Sequence, residues 1–143
     1  MKIANQPKLM FHGVDFVNIK FDTFNQYDNK SGIDLNIEPK VFYPKDNDLI
    51  FKIIMDITLH SEKFFDLNIV AVGTFELDKE FDEIDLKKVF VNTNAPAIMF
   101  PYVRAFITTL TSNLGNVTGA LTVPTQFFQG DLPEILTEEE ETA

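Results

Sequence analysis

The sequence has no cysteine and no tryptophan in 143 residues, and only two histidines. Without a thiol there is no disulfide, no thiolate metal site and no cysteine nucleophile. His12 and His60 are the imidazoles, and Ser31, Ser61 and Ser112 are the serines. His60 and Ser61 are neighbours on an expected turn, an adjacency that supplies no base-to-nucleophile geometry. No catalytic residue is assigned, and an enzyme is not expected. The six glycines form neither G-x-G-x-x-G nor G-K-[ST], so no nucleotide cofactor is expected. Asp78, Glu80, Asp82, Glu83 and Asp85 lack the glycine and ligand spacing of a calcium loop, and read as a solvated charged segment rather than a metal site.

Long apolar runs are also missing. None approaches the roughly 20 residues of a membrane span, and the N-terminal M-K-I-A-N-Q-P-K has no apolar core of a signal peptide. A cytoplasmic protein without membrane insertion is the expectation. Positive charge is scarce: 12 Lys and Arg stand against 22 Asp and Glu, for a net charge of −10. Such a balance argues against nucleic acid as a partner. Six of the acids fall in residues 131–143, which contain no basic residue. The expected organisation is therefore one domain, 1–130, followed by an acidic, disordered tail, 131–143. The tail serves either solubility or docking to a basic partner.

Phenylalanine is abundant, with fifteen copies. Burying all of them in one small core is difficult, so some belong at an interface or in a groove. Val14, Phe16, Val17, Ile19 and Phe21 alternate with polar residues, with a parity flip between Phe16 and Val17 that predicts a bulged strand. I-D-L-N-I-E, Ile33 to Glu38, predicts a second strand that Pro39 keeps from being central. After the turn Pro44 to Asp48, every odd position from Leu49 to Leu59 is apolar. The pattern resumes after His60 to Lys63 and runs from Phe65 to Leu77, so an antiparallel meander of four strands is expected.

A short helix is predicted from about Glu83 to Val91, capped by Asp82. Asn94 then reads as the N-cap of a longer, kinked helix from about Ala95 to Leu114, with Pro96 in its first turn, Pro101 at the kink and Gly115 as its stop. Val103, Phe106, Ile107, Leu110 and Leu114 make one apolar stripe, with Arg104, Thr108, Thr111 and Ser112 on other faces. Residues 116–130 read as an ordered apolar loop.

N-A-P-A-I-M-F-P-Y-V-R, Asn94 to Arg104, followed by a break at Asn113 to Gly115 and then L-T-V-P-T-Q-F, Leu121 to Phe127, resembles the signature half of the SecB-type export chaperones. Phe21-Asp22 closing a first strand, the I-D-L-N-I strand, a long hairpin and Gly73 to Phe75 agree in order. The resemblance covers roughly residues 11–128. It implies an α+β fold with a four-stranded antiparallel sheet, a long helix packed on one face, and a homo-tetramer built as a dimer of dimers. It further implies an ATP-independent holdase that binds unfolded or precursor polypeptides in apolar grooves, for protein export. The groove it implies comprises Phe24, Tyr27, Val41, Phe42, Tyr43, Ile98, Met99, Phe100, Tyr102, Phe127 and Phe128. The oligomer interface would be Val103, Phe106, Ile107, Leu110 and Leu114, and Asp22 and Asp66 would dock the export motor SecA. This chain departs from the family at Gly130 and Pro133, which stand where a second helix usually flanks the groove. A chaperone dedicated to an antitoxin, and a structural oligomer that binds no client, are the alternatives.

Overall fold

Alternating apolar residues build four long strands, β1 (Leu9–Thr23), β2 (Asp34–Phe42), β3 (Ile50–Ser61) and β4 (Phe65–Leu77), in the computed structural model, which describes residues 8–78, 84–126, 128 and 130–135. A two-residue strand, β5 (Glu134–Ile135), completes a sheet of order β1-β4-β3-β2-β5. The four long strands pair antiparallel, but not as the expected meander: β1 lies beside β4 rather than β2, so the chain crosses over between β1 and β2, and β5 runs parallel to β2. The fold is α+β, with one addition to the expected sheet: β5 was not legible as a strand. Residues 131–135, assigned from the sequence to a disordered tail, are therefore in part packed on the sheet, and residues 136–143 lie outside the described residues.

Register concentrates the apolar side chains. Phe51 pairs with Phe75, Met55 with Ala71, Ile57 with Ile69 and Leu59 with Leu67, so odd positions meet odd positions across the central hairpin. Each of these eight side chains is at most 4% exposed, and Phe51 stacks on Phe75 with centroids 5.4 Å apart. β1 joins in the same phase only because it slips twice. Val17 is the unpaired residue between Phe16 opposite Ala71 and Asn18 opposite Val70, which is the bulge predicted from the parity flip; a second irregularity spans Phe11 to Val14, where Gly13 has φ +107°.

Pro39 does not end β2. Val41 donates its N–H to Pro133 O on the outer side of the strand, so Pro39, two residues earlier, points its missing N–H to the same outer side, where no bond to β3 is lost.

The helical half begins with α1 (Ile84–Val89), passes through a π-helical turn (Phe90–Asn94) and continues as α2 (Ala95–Ser112). The expected cap Asp82 and the start at Glu83 lie outside the described residues. Asn94 is not an N-cap: it is helical itself, at φ −72° and ψ −45°, and its side chain makes no capping bond. The widened turn does that work instead. Ala95 donates its N–H five residues back to Phe90 O, immediately before Pro96, which has no N–H to donate. Pro101 lies on the exposed side inside α2. The helix stops at Asn113, whose N–H reaches Thr109 O and Leu110 O, and Gly115 turns the chain at φ +70°.

α2 presents Met99, Phe100, Val103 and Ile107 to the sheet, each at most 2% exposed. Thr111, expected on another face, is fully buried: its hydroxyl donates to Ile107 O and accepts from Leu121 N–H. Thr108 Oγ1 donates to Leu121 O and Arg104 Nε to Val123 O, so one polar stripe straps the apolar segment of residues 121–123 along the helix. Leu121 and Val123 complete the core.

Where β4 passes beneath α2, Gly73 leaves room for Met99. A Cβ at position 73 would stand 2.8 Å from Met99 Sδ and 3.1 Å from a ring carbon of Phe75. Met99 is fully buried and has nowhere to swing. Gly73→Ala is expected to cost about 1–3 kcal/mol by overpacking, read from urea unfolding. In a double-mutant cycle with Met99→Ala the losses should be less than additive, because the new methyl occupies space the methionine vacates; strict additivity would contradict the contact.

At the turn end of the β3–β4 hairpin, His60 faces Asp66 across the ladder and its Nδ1 is hydrogen-bonded to the Asp66 carboxylate. That bond, with the charges of Asp66, Asp34 and Glu62, raises the His60 pKa above its ordinary 6.5. The folded protein holds this proton to higher pH than the unfolded chain does. The resulting stability is complete below the ordinary value and is lost as pH rises through the raised one. The urea midpoint should therefore fall between about pH 6 and pH 8, and His60→Gln should flatten that fall; an unchanged slope would remove His60 from the account.

Candidate functional site

The residues named as a groove separate into three environments. Phe24, Ile98 and Tyr102 are exposed, at 57%, 38% and 55%. Tyr27, Tyr43 and Phe128 are half-buried. Val41, Phe42, Met99 and Phe100 are buried, at 8% or less, and Phe127 lies outside the described residues. The buried four are consumed by the fold, and Phe42 is not on the helix side at all. It belongs to a small second cluster with Ile54 and Val72 on the opposite face of the sheet.

Two apolar borders remain open to a ligand. The first runs between β1 and α2, where the Phe11 ring lies 5.1 Å from that of Tyr102 and Phe16 stacks on Phe106 at 4.0 Å. Ile98 and Tyr102 on the helix and Ile19 on the strand are exposed. The second lies along β2, where Leu35 and Ile37 are half-buried at the sheet's edge. Here Phe128 meets Phe100 edge-on at 5.6 Å and Leu132 packs on the main core.

The crossover from β1 to β2, residues 24–33, closes the far end of this second border. Phe24 N–H bonds Phe64 O and Tyr27 N–H bonds Val117 O, while the Tyr27 ring stands edge-on to Phe64 and Phe65. Asp28 fixes the loop by accepting from Lys30 N–H, Ser31 N–H and the Ser31 hydroxyl, bonds that hold its carboxyl below the ordinary 3.8. Phe24 overhangs a cleft of about 400 Å³ shared with Gln26, Asn116 and Val117. At the other end, Tyr43 packs on Phe51, with the Lys87 ammonium 5.3 Å from its ring centre. Burial, and then the Glu134 charge, raise the Tyr43 phenol above its ordinary 10.0.

Of the stripe assigned to an oligomer interface, Val103 and Ile107 are spent inside the chain at 0% exposure; Phe106, Leu110 and Leu114 are half-buried. Asp22 and Asp66 are brought directly opposite each other on β1 and β4. Their mutual repulsion is eased by His60 on Asp66 and by Lys20, whose ammonium lies 3.8 Å from Asp22.

Sequence reasoning missed two sets of residues. Arg104, Thr108 and Thr111 hold residues 121–123, and their i, i+4, i+7 spacing was a signal for a polar stripe with work to do. Asn92, in the π-helical turn, receives Leu132 N–H on its Oδ1 at 3.0 Å and donates through Nδ2 to Asp131 at 3.3 Å. Nothing in the sequence marked that residue. Among the described residues no group of three or more His, Cys, Asp or Glu is placed to hold a metal, and no helix is long and apolar enough to cross a membrane.

Comparison with known proteins agrees with this architecture. An uncharacterized protein of Methanocaldococcus jannaschii is 36% identical over 91 residues, which are 60% of this chain and 57% of that one. The chain thus spans little more than half the length of that relative. The SecB-like chaperone of Mycobacterium tuberculosis, solved in complex with a ChAD peptide from the HigA1 antitoxin, superposes with a TM-score of 0.67 at 14% identity, over 82% of this chain and 89% of that one. Such a likeness shows the fold. The family model described as preprotein translocase subunit SecB matches residues 20–122, from the last residues of β1 into the segment strapped to α2, and on that match the chain belongs to the SecB family.

Proposed function

We propose that this protein is an ATP-independent, cytoplasmic chaperone whose clients are extended non-native segments, and that its principal client is one dedicated partner of the antitoxin kind. The observation that carries the reading is the apolar border along β2, where Leu35 and Ile37 are half-buried at the sheet's edge, Phe128 packs on Phe100 and Phe24 stands 57% exposed beside the crossover. Aromatic side chains there provide contact area with few torsions to freeze. The antitoxin reading is supported by the structural likeness to a SecB-like chaperone that holds an antitoxin peptide. It is supported also by how little of the β2 border is free, since a general holdase needs a long groove to offset the ordering entropy of each client.

A general export holdase is the second reading. It is favoured by the facing pair Asp22 and Asp66, a compact acidic feature suited to a basic docking surface on an export motor. In either reading the chain assembles as a homo-tetramer through the β1–α2 border, with Ile98 and Tyr102 rather than Val103 and Ile107 supplying the exposed contacts.

Light scattering from a chemically denatured client, diluted into increasing amounts of this protein without nucleotide, tests the chaperone. Suppression saturating near one client per oligomer is expected; no suppression of any of several unrelated clients or of an antitoxin leaves the structural oligomer. Suppression of an antitoxin alone selects the dedicated chaperone. For the assembly, Ile98→Asp with Tyr102→Asp should lower the mass measured by gel filtration with in-line light scattering while leaving the monomer folded. Ile107→Ala should instead cost about 2–5 kcal/mol of stability as a core truncation and leave the mass unchanged. The reverse pattern would return the interface to the buried stripe.

A further inference from the structure

The segment of residues 130–135 crosses from the π-helical turn to the sheet and adds itself to the outer edge of β2. Three contacts hold its backbone and one side chain: Asn92 Nδ2 to Asp131, Leu132 N–H to Asn92 Oδ1, and Val41 N–H to Pro133 O at 2.9 Å. The parallel pairing covers only Val41 with Glu134 and Phe42 with Ile135. Two side chains of the segment reach apolar surface, and they reach opposite faces. Leu132 packs on the main core under α2, whereas Ile135 packs on the cluster of Phe42, Ile54 and Val72 beneath the sheet.

We propose that the outer edge of β2 at Val41–Phe42 is a strand-addition site for client polypeptide, filled in this structure by the chain's own residues 131–135 and surrendered to a client segment that is apolar on both faces. The inference rests on the chaperone reading and deepens it. The site has the marks of a place that exchanges occupants. Its ladder is short because Pro39 offers no outward N–H, so a docked strand gains little main-chain hydrogen bonding in that direction. Pro44 stands two residues beyond Phe42 on the other side. With few backbone bonds to gain, recognition falls to the side chains, and each face of the occupant meets a separate apolar cluster. Strands that satisfy both are the interior strands of unfolded proteins, apolar throughout, rather than amphipathic surface strands. The native occupant meets this demand minimally, with Leu132 on one side and Ile135 on the other, and adds two acids, Asp131 and Glu134.

The test uses the full chain and two variants that release the segment from different ends, Asn92→Ala and Ile135→Asp, with fluorescently labelled reduced carboxymethylated lactalbumin as the unfolded client. Both variants are expected to bind it about tenfold more tightly than the parent, the shift produced by losing about 1.4 kcal/mol of competing self-contact. A synthetic peptide copying residues 128–135 should bind the Ile135→Asp protein and compete with lactalbumin there. Circular dichroism and the thermal midpoint check that each variant keeps its fold. If lactalbumin binds the parent but both variants bind it equally or more weakly, the segment is groove wall, and the inference falls while the chaperone reading stands. If lactalbumin and an antitoxin segment bind none of the three proteins, the chaperone reading itself falls and takes the inference with it.

Discussion

Gly73 has no Cβ, and the sulfur of Met99 occupies the space beside it. This close approach sets the height of α2 above the sheet, and much else follows from that height. The odd-numbered side chains of β3 and β4 are all on the side facing the helix, so α2 must descend far enough to cover them. The glycine sits where Ile53 on one flank and Val14 on the other already supply bulk. With the helix held low at Met99, Phe100 and Val103 are sealed, and the apolar surface left over moves outward to the two borders. The exposed residues of the fold are thus a consequence of how completely its centre is filled.

The borders are maintained by polar groups. Arg104 and Thr108 on α2 each donate to a carbonyl of residues 121–123, and the Thr111 hydroxyl both gives and receives, leaving no buried polar atom of that threonine idle. An irregular segment can lie in the core only if its main-chain groups find such partners. The same logic operates at the helix start. Pro96 forces the i→i+5 turn, and that turn carries Asn92, whose amide then serves as both acceptor and donor for residues 131–132. A backbone accommodation to one proline has become an anchor for a segment 40 residues further along the chain.

Much of the fold was legible because the sheet writes its register in period two. The runs Leu49 to Leu59 and Phe65 to Leu77 specify strand, face and pairing together, since a one-residue slip would expose every apolar side chain. The bulge at Val17 was readable for the same reason. What stayed hidden depended on partners distant in sequence. Asn94 has the composition of a cap, and only the preceding helical turn, which keeps it helical, removes that role. Glu134 and Ile135 look like part of an acidic tail, and they become a strand only because Val41 presents an unpaired N–H. At the candidate site, the signature around Phe100 and Tyr102 marks the helix, but periodicity could not say which of its apolar residues face inward. Met99 and Phe100 are core, and Ile98 and Tyr102, one and two positions away on either side, are the surface.

That alternation bears on how one helix serves two purposes. Ile98 and Tyr102 are four residues apart and share a face, as do Met99 and Val103 one position along. The inner pair fixes the helix to the sheet, and the outer pair is free for contact with another chain without disturbing the core. Separate demands are therefore met by separate faces, and substitution on one need not propagate to the other. β2 has no such separation. Beyond Pro39 its outer edge is a short strip at Val41–Phe42, so residues 131–135 and any strand added there must contend for the same Val41 N–H. That donor holds one partner at a time, and the packing of Leu132 and Ile135 sets the threshold that a competitor must exceed.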